Sequence, residues 1–123
     1  MERNTAQRQA ILKVLQKTQR PLSLQEILAL AEKQCPGIGI ATIYRNVKSL
    51  LAEELVVKVE LPANVVLYEA PKSAHHHHFS CLKCLRVFDI DACETNFQKL
   101  LPKGFKLQAH EILLSGYCQR CAT

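Results

Sequence analysis

Ten consecutive residues, HHHHFSCLKC from His75 to Cys84, hold four of the chain's five histidines and two of its six cysteines. A second Cys-x-x-Cys pair follows at Cys118 and Cys121. Two intervening residues let both sulfurs of such a pair face one ion, and two pairs supply a tetrahedron. With Cys81, Cys84, Cys118 and Cys121 as ligands, a bound Zn(2+) keeps no open position, so the site is expected to build structure rather than perform catalysis. A redox disulfide would need only one of the pairs. An iron–sulfur cluster is another thiolate option, but the rest of the chain argues for zinc. The histidine run looks like a purification tag, yet it lies inside the chain and offers donors for a further metal. Cys35, beside Pro36, reads as a plain core or surface residue.

A second set of chemically able residues lies in ATIYRNVKSLL, Ala41 to Leu51. Arginine reads guanine edges or clamps phosphates, asparagine pairs with adenine, and lysine neutralises phosphate. Thr42, Tyr44, Arg45, Asn46 and Lys48 on one helix face therefore suit double-stranded DNA. A charged helix face is more often simply solvated, so the surrounding elements must decide.

Those elements fall into two groups. Ala6, Ala10, Ile11, Val14 and Leu15 keep helical spacing, which predicts a helix from about Thr5 to Thr18. Ser23 with Glu26 forms a capping-box pattern that opens a second helix. CPGIG (Cys35–Gly39) breaks it. Ile40, Ile43, Val47, Leu50 and Leu51 mark the buried stripe of a third helix. LVVKVEL (Leu55–Leu61) and NVVLYEA (Asn64–Ala70) read as a hairpin around Pro62-Ala63. Three helices and a hairpin make a winged helix-turn-helix, which raises the DNA reading of the third helix. Beyond a boundary near Pro71-Lys72-Ser73, HHHHFS and RVFDID read as strands, ACETNFQKLL (Ala92–Leu101) as a helix with Phe97, Leu100 and Leu101 inward, and FKLQAHEILLSGYC as a long strand.

The chain has 123 residues and a net charge of +5 spread along its length. It has no apolar run of about 18 residues and no leader pattern, so a cytoplasmic protein without a membrane span is expected. A half of about 60 residues buries little core and usually needs a metal or a partner chain.

Taken together, TAQRQAIL, IATIYRNVKSL and HHHHFSCLKC…GYCQRC resemble the ferric uptake regulator family of bacterial metal-responsive repressors, from Thr5 to Cys121. The resemblance implies an α+β homodimer. Each subunit would join a winged helix-turn-helix DNA-binding domain (residues 1–70) to a small α/β dimerisation and metal-binding domain with a structural zinc site (residues 71–123). Loading of a regulatory metal would change the angle between them, and the loaded form would bind a palindromic operator. No enzymatic activity is implied. The resemblance also supplies two regulatory sites. One, at the hinge, would use Glu69, His76 and His78, with Asp89 in some members. The other would use His75, His77 and His110 with an acidic ligand, for which Cys93, Glu94 and Asn96 are candidates and Glu94 is taken first. Alternate residues of a strand share a face, as each histidine pair requires.

The chain departs from the family between its first two helices, where many members carry a histidine that joins the hinge site. Here the residues are Gln19-Arg20-Pro21-Leu22. The regulatory metal stays open among Fe(2+), Zn(2+) and Mn(2+), with Ni(2+) also suited to the donors. Glu69 resembles the iron-sensing branch and His77 the zinc-sensing branch, while Asp89 keeps peroxide sensing in view. A zinc-stabilised protein-interaction module and a metal hydrolase are the readings from other classes, and no nucleophile or general base stands beside the histidines to favour the latter.

Overall fold

The computed structural model describes residues 2–72, 75–93 and 96–122, with side chains from Thr5 onward. The chain divides into two compact units, Met1–Pro71 and Lys72–Thr123.

In the first unit α1 (Glu2–Lys17), α2 (Leu24–Ala31) and α3 (Ile40–Ala52) precede a hairpin of β1 (Val57–Leu61) and β2 (Val65–Glu69). Helical spacing puts Ile11, Val14 and Leu15 of α1 on one buried face. The Ser23 hydroxyl accepts from the Glu26 N–H and the Glu26 carboxylate accepts from the Ser23 N–H, both at 3.1 Å, so the predicted capping box starts α2. Helix α3 buries Ile43, Val47 and Leu50. Ile40, expected in that stripe, is 42 % exposed; it is the first residue of the helix, one turn short of Ile43, where the covered stripe begins. The three helices close over a core completed by Leu22, Ile27, Ile38, Val56 and Tyr68.

At the end of α3 the Leu55 N–H donates to the Leu50 carbonyl at 2.9 Å and the Glu54 N–H to the Leu51 carbonyl at 3.1 Å. Glu54 takes the left-handed conformation (φ 61) that this motif usually gives to glycine. The hairpin is antiparallel, with Val57 opposite Glu69 and Leu61 opposite Val65. Leu22 and Tyr68 exchange backbone hydrogen bonds in both directions at 2.8 Å, so the loop between α1 and α2 adds a rung to the free side of β2. Three helices with this braced hairpin form a winged helix-turn-helix.

The second unit is a sheet of β3 (His77–Cys81), β4 (Val87–Ile90) and β5 (Leu113–Gly116) in the order β4-β3-β5. Strand β4 runs antiparallel to β3, and β5 runs parallel to it. Two expectations fail here. Among the described residues of Ala92–Leu101, which leave out Glu94 and Thr95, the regular structure is a 3₁₀ turn, Phe97–Leu100, and Leu100 is 75 % exposed rather than inward. Side chains draw the backbone away from a helix: Asn96 accepts from the Gln98 N–H, and the Gln98 amide bonds the Phe105 carbonyl and the Leu107 N–H, each at 2.8 Å. The long strand shrinks to Leu113–Gly116, because β3 offers only five residues to pair with and Leu107 is already committed to Gln98.

Gly116 lies against Phe79, whose ring would come within 3.3 Å of any added Cβ. Among the described residues of this unit the buried apolar side chains are those of Cys81 and Val87. Apolar burial of that extent does not stabilise a domain. No helix among the described residues is long and apolar enough to cross a membrane. The chain as a whole is α+β.

Candidate metal centres and helix face

The first donor set follows from the parallel pairing of β3 and β5. Cys81 stands opposite Gly116, so the turn after β3 and the segment after β5 leave the sheet at the same end. That end brings together Cys81, Cys84, Cys118 and Cys121, whose sulfurs all lie within 4.8 Å of one another. Cys84 Sγ is 3.9 Å from Cys118 Sγ. A tetrahedron with Zn–S bonds of about 2.3 Å has edges of about 3.8 Å, so the spacing fits zinc. The backbone N–H groups of Cys118 and Cys84 donate to Cys81 Sγ at 3.4 and 3.5 Å, and they pull its thiol down to about 5. Burial, reinforced by the neighbouring sulfurs, pushes the Cys121 thiol up to about 12. The cluster thus favours one thiolate and opposes four unless a dication sits among them.

The histidines separate by alternation. His75, His77 and His110 converge with Cys93. His75 Nε2 lies 2.9 Å from His77 Nε2 and 3.1 Å from His110 Nε2, and Cys93 Sγ lies 3.2 Å from His110 Nε2. Burial, then the nearby His75 and His110, holds His77 below the usual imidazole value, so it is neutral, as a ligand must be. Its Nδ1 accepts from the Ile112 N–H at 3.2 Å, which places the ring proton on Nε2. Of the described candidates for the remaining donor, Cys93 is the one brought to the histidines. Asn96 instead caps the turn through Gln98, and Glu94 lies outside the described residues.

His76 and His78 form the other pair, with ring centroids 5.1 Å apart. The β3–β4 register sets His78 opposite Asp89. Asp89 Oδ1 lies 3.3 Å from His78 Nε2 and 3.8 Å from His76 Nε2. Two imidazoles and one carboxylate suit an ion that keeps open positions, Fe(2+) among them. Lys72 Nζ sits 2.8 Å from Asp89 Oδ2 and 3.1 Å from Asp91 Oδ1, and the Asp89 carboxylate raises the lysine above its ordinary value. Glu69, expected with this pair, is the last residue of β2 in the first unit and is buried.

On α3, Tyr44 is 52 % exposed, and Arg45 and Lys48 are exposed beside it. Arg45 donates to the Thr42 hydroxyl at 3.3 Å. Asn46 is turned onto its own helix, its amide donating to the Thr42 carbonyl at 2.9 Å. Arg8 of α1 bonds Ser49 and Glu53, which fixes the end of this helix in the unit. Cys35 is half-buried against the core, its Sγ 3.8 Å from the Ala6 carbonyl. Sequence reasoning did not find Lys72 on Asp89, for which no local signal exists, nor the ion pair of Arg20 with Glu26 at 2.8 Å. The capping-box glutamate beside an arginine was a signal for the latter.

Comparison with known proteins agrees with this architecture. The Bacillus subtilis (strain 168) ferric uptake regulation protein is 32 % identical over 125 residues, covering 95 % of this chain and 83 % of that protein. The Campylobacter jejuni ferric uptake regulation protein is 31 % identical over 95 % of this chain and 78 % of its own length. Among solved structures, the Helicobacter pylori ferric uptake regulator superposes with a TM-score of 0.72 at 22 % identity, over 95 % of this chain and 80 % of that one, a likeness of fold. Because the profile described as "Ferric uptake regulator family" matches residues 2–115, in agreement with these relatives, the chain belongs to the ferric uptake regulator family, whose members are metal-responsive transcriptional regulators rather than enzymes.

Proposed function

We propose that the protein is a metal-dependent transcriptional repressor that controls iron or zinc uptake, binding a palindromic operator as a homodimer when a regulatory metal is loaded. The observation that carries this reading is the separation of the histidine run into two donor clusters beside a four-thiolate set. A purely structural domain needs the cysteines alone. Zn(2+) at Cys81, Cys84, Cys118 and Cys121 supplies folding energy to a unit with little apolar core. His76, His78 and Asp89, to which the resemblance adds Glu69, hold one regulatory divalent cation, and His75, His77 and His110 hold another. The H. pylori regulator is described as having three functional metal-binding sites, and a manganese uptake regulator of the same fold is described as zinc-bound.

The output side is α3. Thr42, Tyr44, Arg45, Asn46 and Lys48 are the DNA-binding residues, with Arg45 and Lys48 exposed to reach phosphates and base edges. Apolar residues on the second unit support a dimer: Leu100, Phe105, Leu114 and Tyr117 are each more than half exposed. The metal acts by linkage, since tighter binding to the DNA-competent form raises that form's population. The two-histidine, one-carboxylate set also suits iron, which supports peroxide sensing as the second reading.

Gel shifts with genomic operator fragments test the proposal. The protein is first treated with a chelator that spares the cysteine zinc. It should then lose DNA binding and regain it on addition of Fe(2+), Zn(2+) or Mn(2+). DNA binding that no divalent metal alters would defeat the sensing role.

A further inference from the structure

We infer that Cys93 contributes a thiolate to the site formed by His75, His77 and His110, and that this donor set takes a tetrahedral, zinc-class cation in preference to Fe(2+) or Mn(2+). This rests on the metal-responsive reading above and adds to it a ligand and the class of metal.

The four donors come from separate parts of the second unit. His75 lies just before β3 and His77 begins it, Cys93 follows β4, and His110 precedes β5. Alternation accounts for His75 with His77, but no local regularity brings Cys93 and His110 to them, yet all four donor atoms fall within 4.8 Å of one another. Cys93 Sγ is half-buried and faces His110 Nε2 at 3.2 Å. The chain of contacts continues from His110 Nε2 to His75 Nε2 at 3.1 Å and to His77 Nε2 at 2.9 Å. Zn–N bonds of about 2.0 Å give tetrahedral edges of about 3.3 Å, so small outward shifts admit the ion.

Ligand softness then decides the metal. A thiolate among imidazoles favours zinc and similar ions, whereas manganese prefers oxygen donors and more of them. The contrast lies within one strand, because His76 and His78 meet the hard Asp89 carboxylate. The Ile112 N–H keeps the His77 proton on Nε2. For Nε2 to ligate, the His77 proton has to move to Nδ1 and the Ile112 hydrogen bond is given up, while the Cys93 thiol proton leaves to solvent. His77 is accordingly the costliest donor to load, and Cys93 joins His75 and His110 as the first three.

The test uses the full chain, anaerobic, with one zinc per chain retained in the cysteine site as checked by elemental analysis, and Co(2+) added as the probe. Wild type should develop a sulfur-to-cobalt charge-transfer band in the near ultraviolet together with intense tetrahedral bands in the visible. Cys93→Ser should lose the near-ultraviolet band and about tenfold or more in Zn(2+) affinity, with Mn(2+) affinity little changed. Cys93→Asp, which restores a carboxylate, should raise Mn(2+) affinity relative to Zn(2+). A second Co(2+) bound by wild type without the band, or a band that survives in Cys93→Ser with zinc retained, overturns the assignment. Gel shifts on the same samples separate the two levels. Metal-dependent DNA binding without the band leaves the repressor reading standing and this inference refuted. The expected band with DNA binding indifferent to metal does the reverse.

Discussion

Arg20 Nη2 lies 2.8 Å from Glu26 Oε2 and joins the loop after α1 to the first turn of α2. Many relatives are expected to carry a metal-ligating histidine between these helices; this chain carries a structural ion pair. The same carboxylate closes the capping box with Ser23. Burial raises the Glu26 pKa, but the bonds from Arg20 and the Ser23 N–H, with the Arg20 charge, outweigh it, and the group titrates below its ordinary value. A carboxyl with a lowered folded-state pKa stabilises the fold above its unfolded pKa and loses that contribution as pH falls through the folded value. Between about pH 6 and about pH 3, wild type should therefore lose more stability in urea than Glu26→Gln does. A difference of about 1 kcal/mol or less is expected for a partly exposed pair. Parallel pH profiles for the two proteins would remove Glu26 from the account.

Lys72 and the pair His76 and His78 meet at one carboxylate, that of Asp89. The lysine ammonium rests 2.8 Å from Asp89 Oδ2 while His78 Nε2 lies 3.3 Å from Oδ1. A cation drawn to Asp89 has to offset the charge already there. Lys72→Gln should therefore bind Mn(2+) about two- to fivefold more tightly at low salt, the range expected of a partly exposed ion pair. Calorimetric titration of zinc-retaining protein measures it. Weaker binding by the variant would mean that Lys72 positions Asp89 rather than opposing the metal.

Local spacing was enough for some of these features and useless for others. Ser23 and Glu26 are three positions apart, so their capping box was legible from residue type and spacing alone. The stripe of Ile43, Val47 and Leu50 and the two cysteine pairs were legible for the same reason. The segment after β4 was not, because its course depends on Gln98 reaching Phe105 and Leu107 across a loop. The resemblance leaves the acidic donor open among Cys93, Glu94 and Asn96; Glu94 lies outside the described residues, and among the described ones it is Cys93 that meets His110. Lys72 and Asp89 stand far apart in the chain and meet only through the register of β3 and β4.

On the helix face, Arg45 and Asn46 should not contribute equally to DNA recognition. Arg45 is exposed, with one bond to the Thr42 hydroxyl, while the Asn46 amide is committed to the Thr42 carbonyl of its own helix. Truncating an arginine that reads a base typically costs about 1–3 kcal/mol. Arg45→Ala should thus weaken operator binding about tenfold or more, and Asn46→Ala distinctly less. Fluorescence anisotropy at fixed salt with one labelled duplex compares them. Equal losses would show that Asn46 leaves the Thr42 carbonyl when DNA binds.

The sharpest consequence of the cysteine cluster concerns stability rather than DNA. The first unit closes over an apolar core that runs from Ile11 to Tyr68, whereas the described part of the second buries Cys81 and Val87 and little else apolar. Four sulfurs that tie the turn after β3 to the segment after β5 therefore replace the missing core. Stripping zinc with a strong chelator under reducing conditions should abolish amide-exchange protection in β3, β4 and β5 while α1, α2 and α3 keep theirs. Cys118→Ser should reproduce the same pattern without chelator, since loss of one ligand opens the tetrahedron and weakens the hold on the metal that the other three sulfurs need. Hydrogen-exchange mass spectrometry resolves the two units by peptide. Retained protection of Phe79 and Leu114 after complete removal of zinc would mean that the sheet folds on strand pairing alone, and the four cysteines would then need another explanation than a structural one.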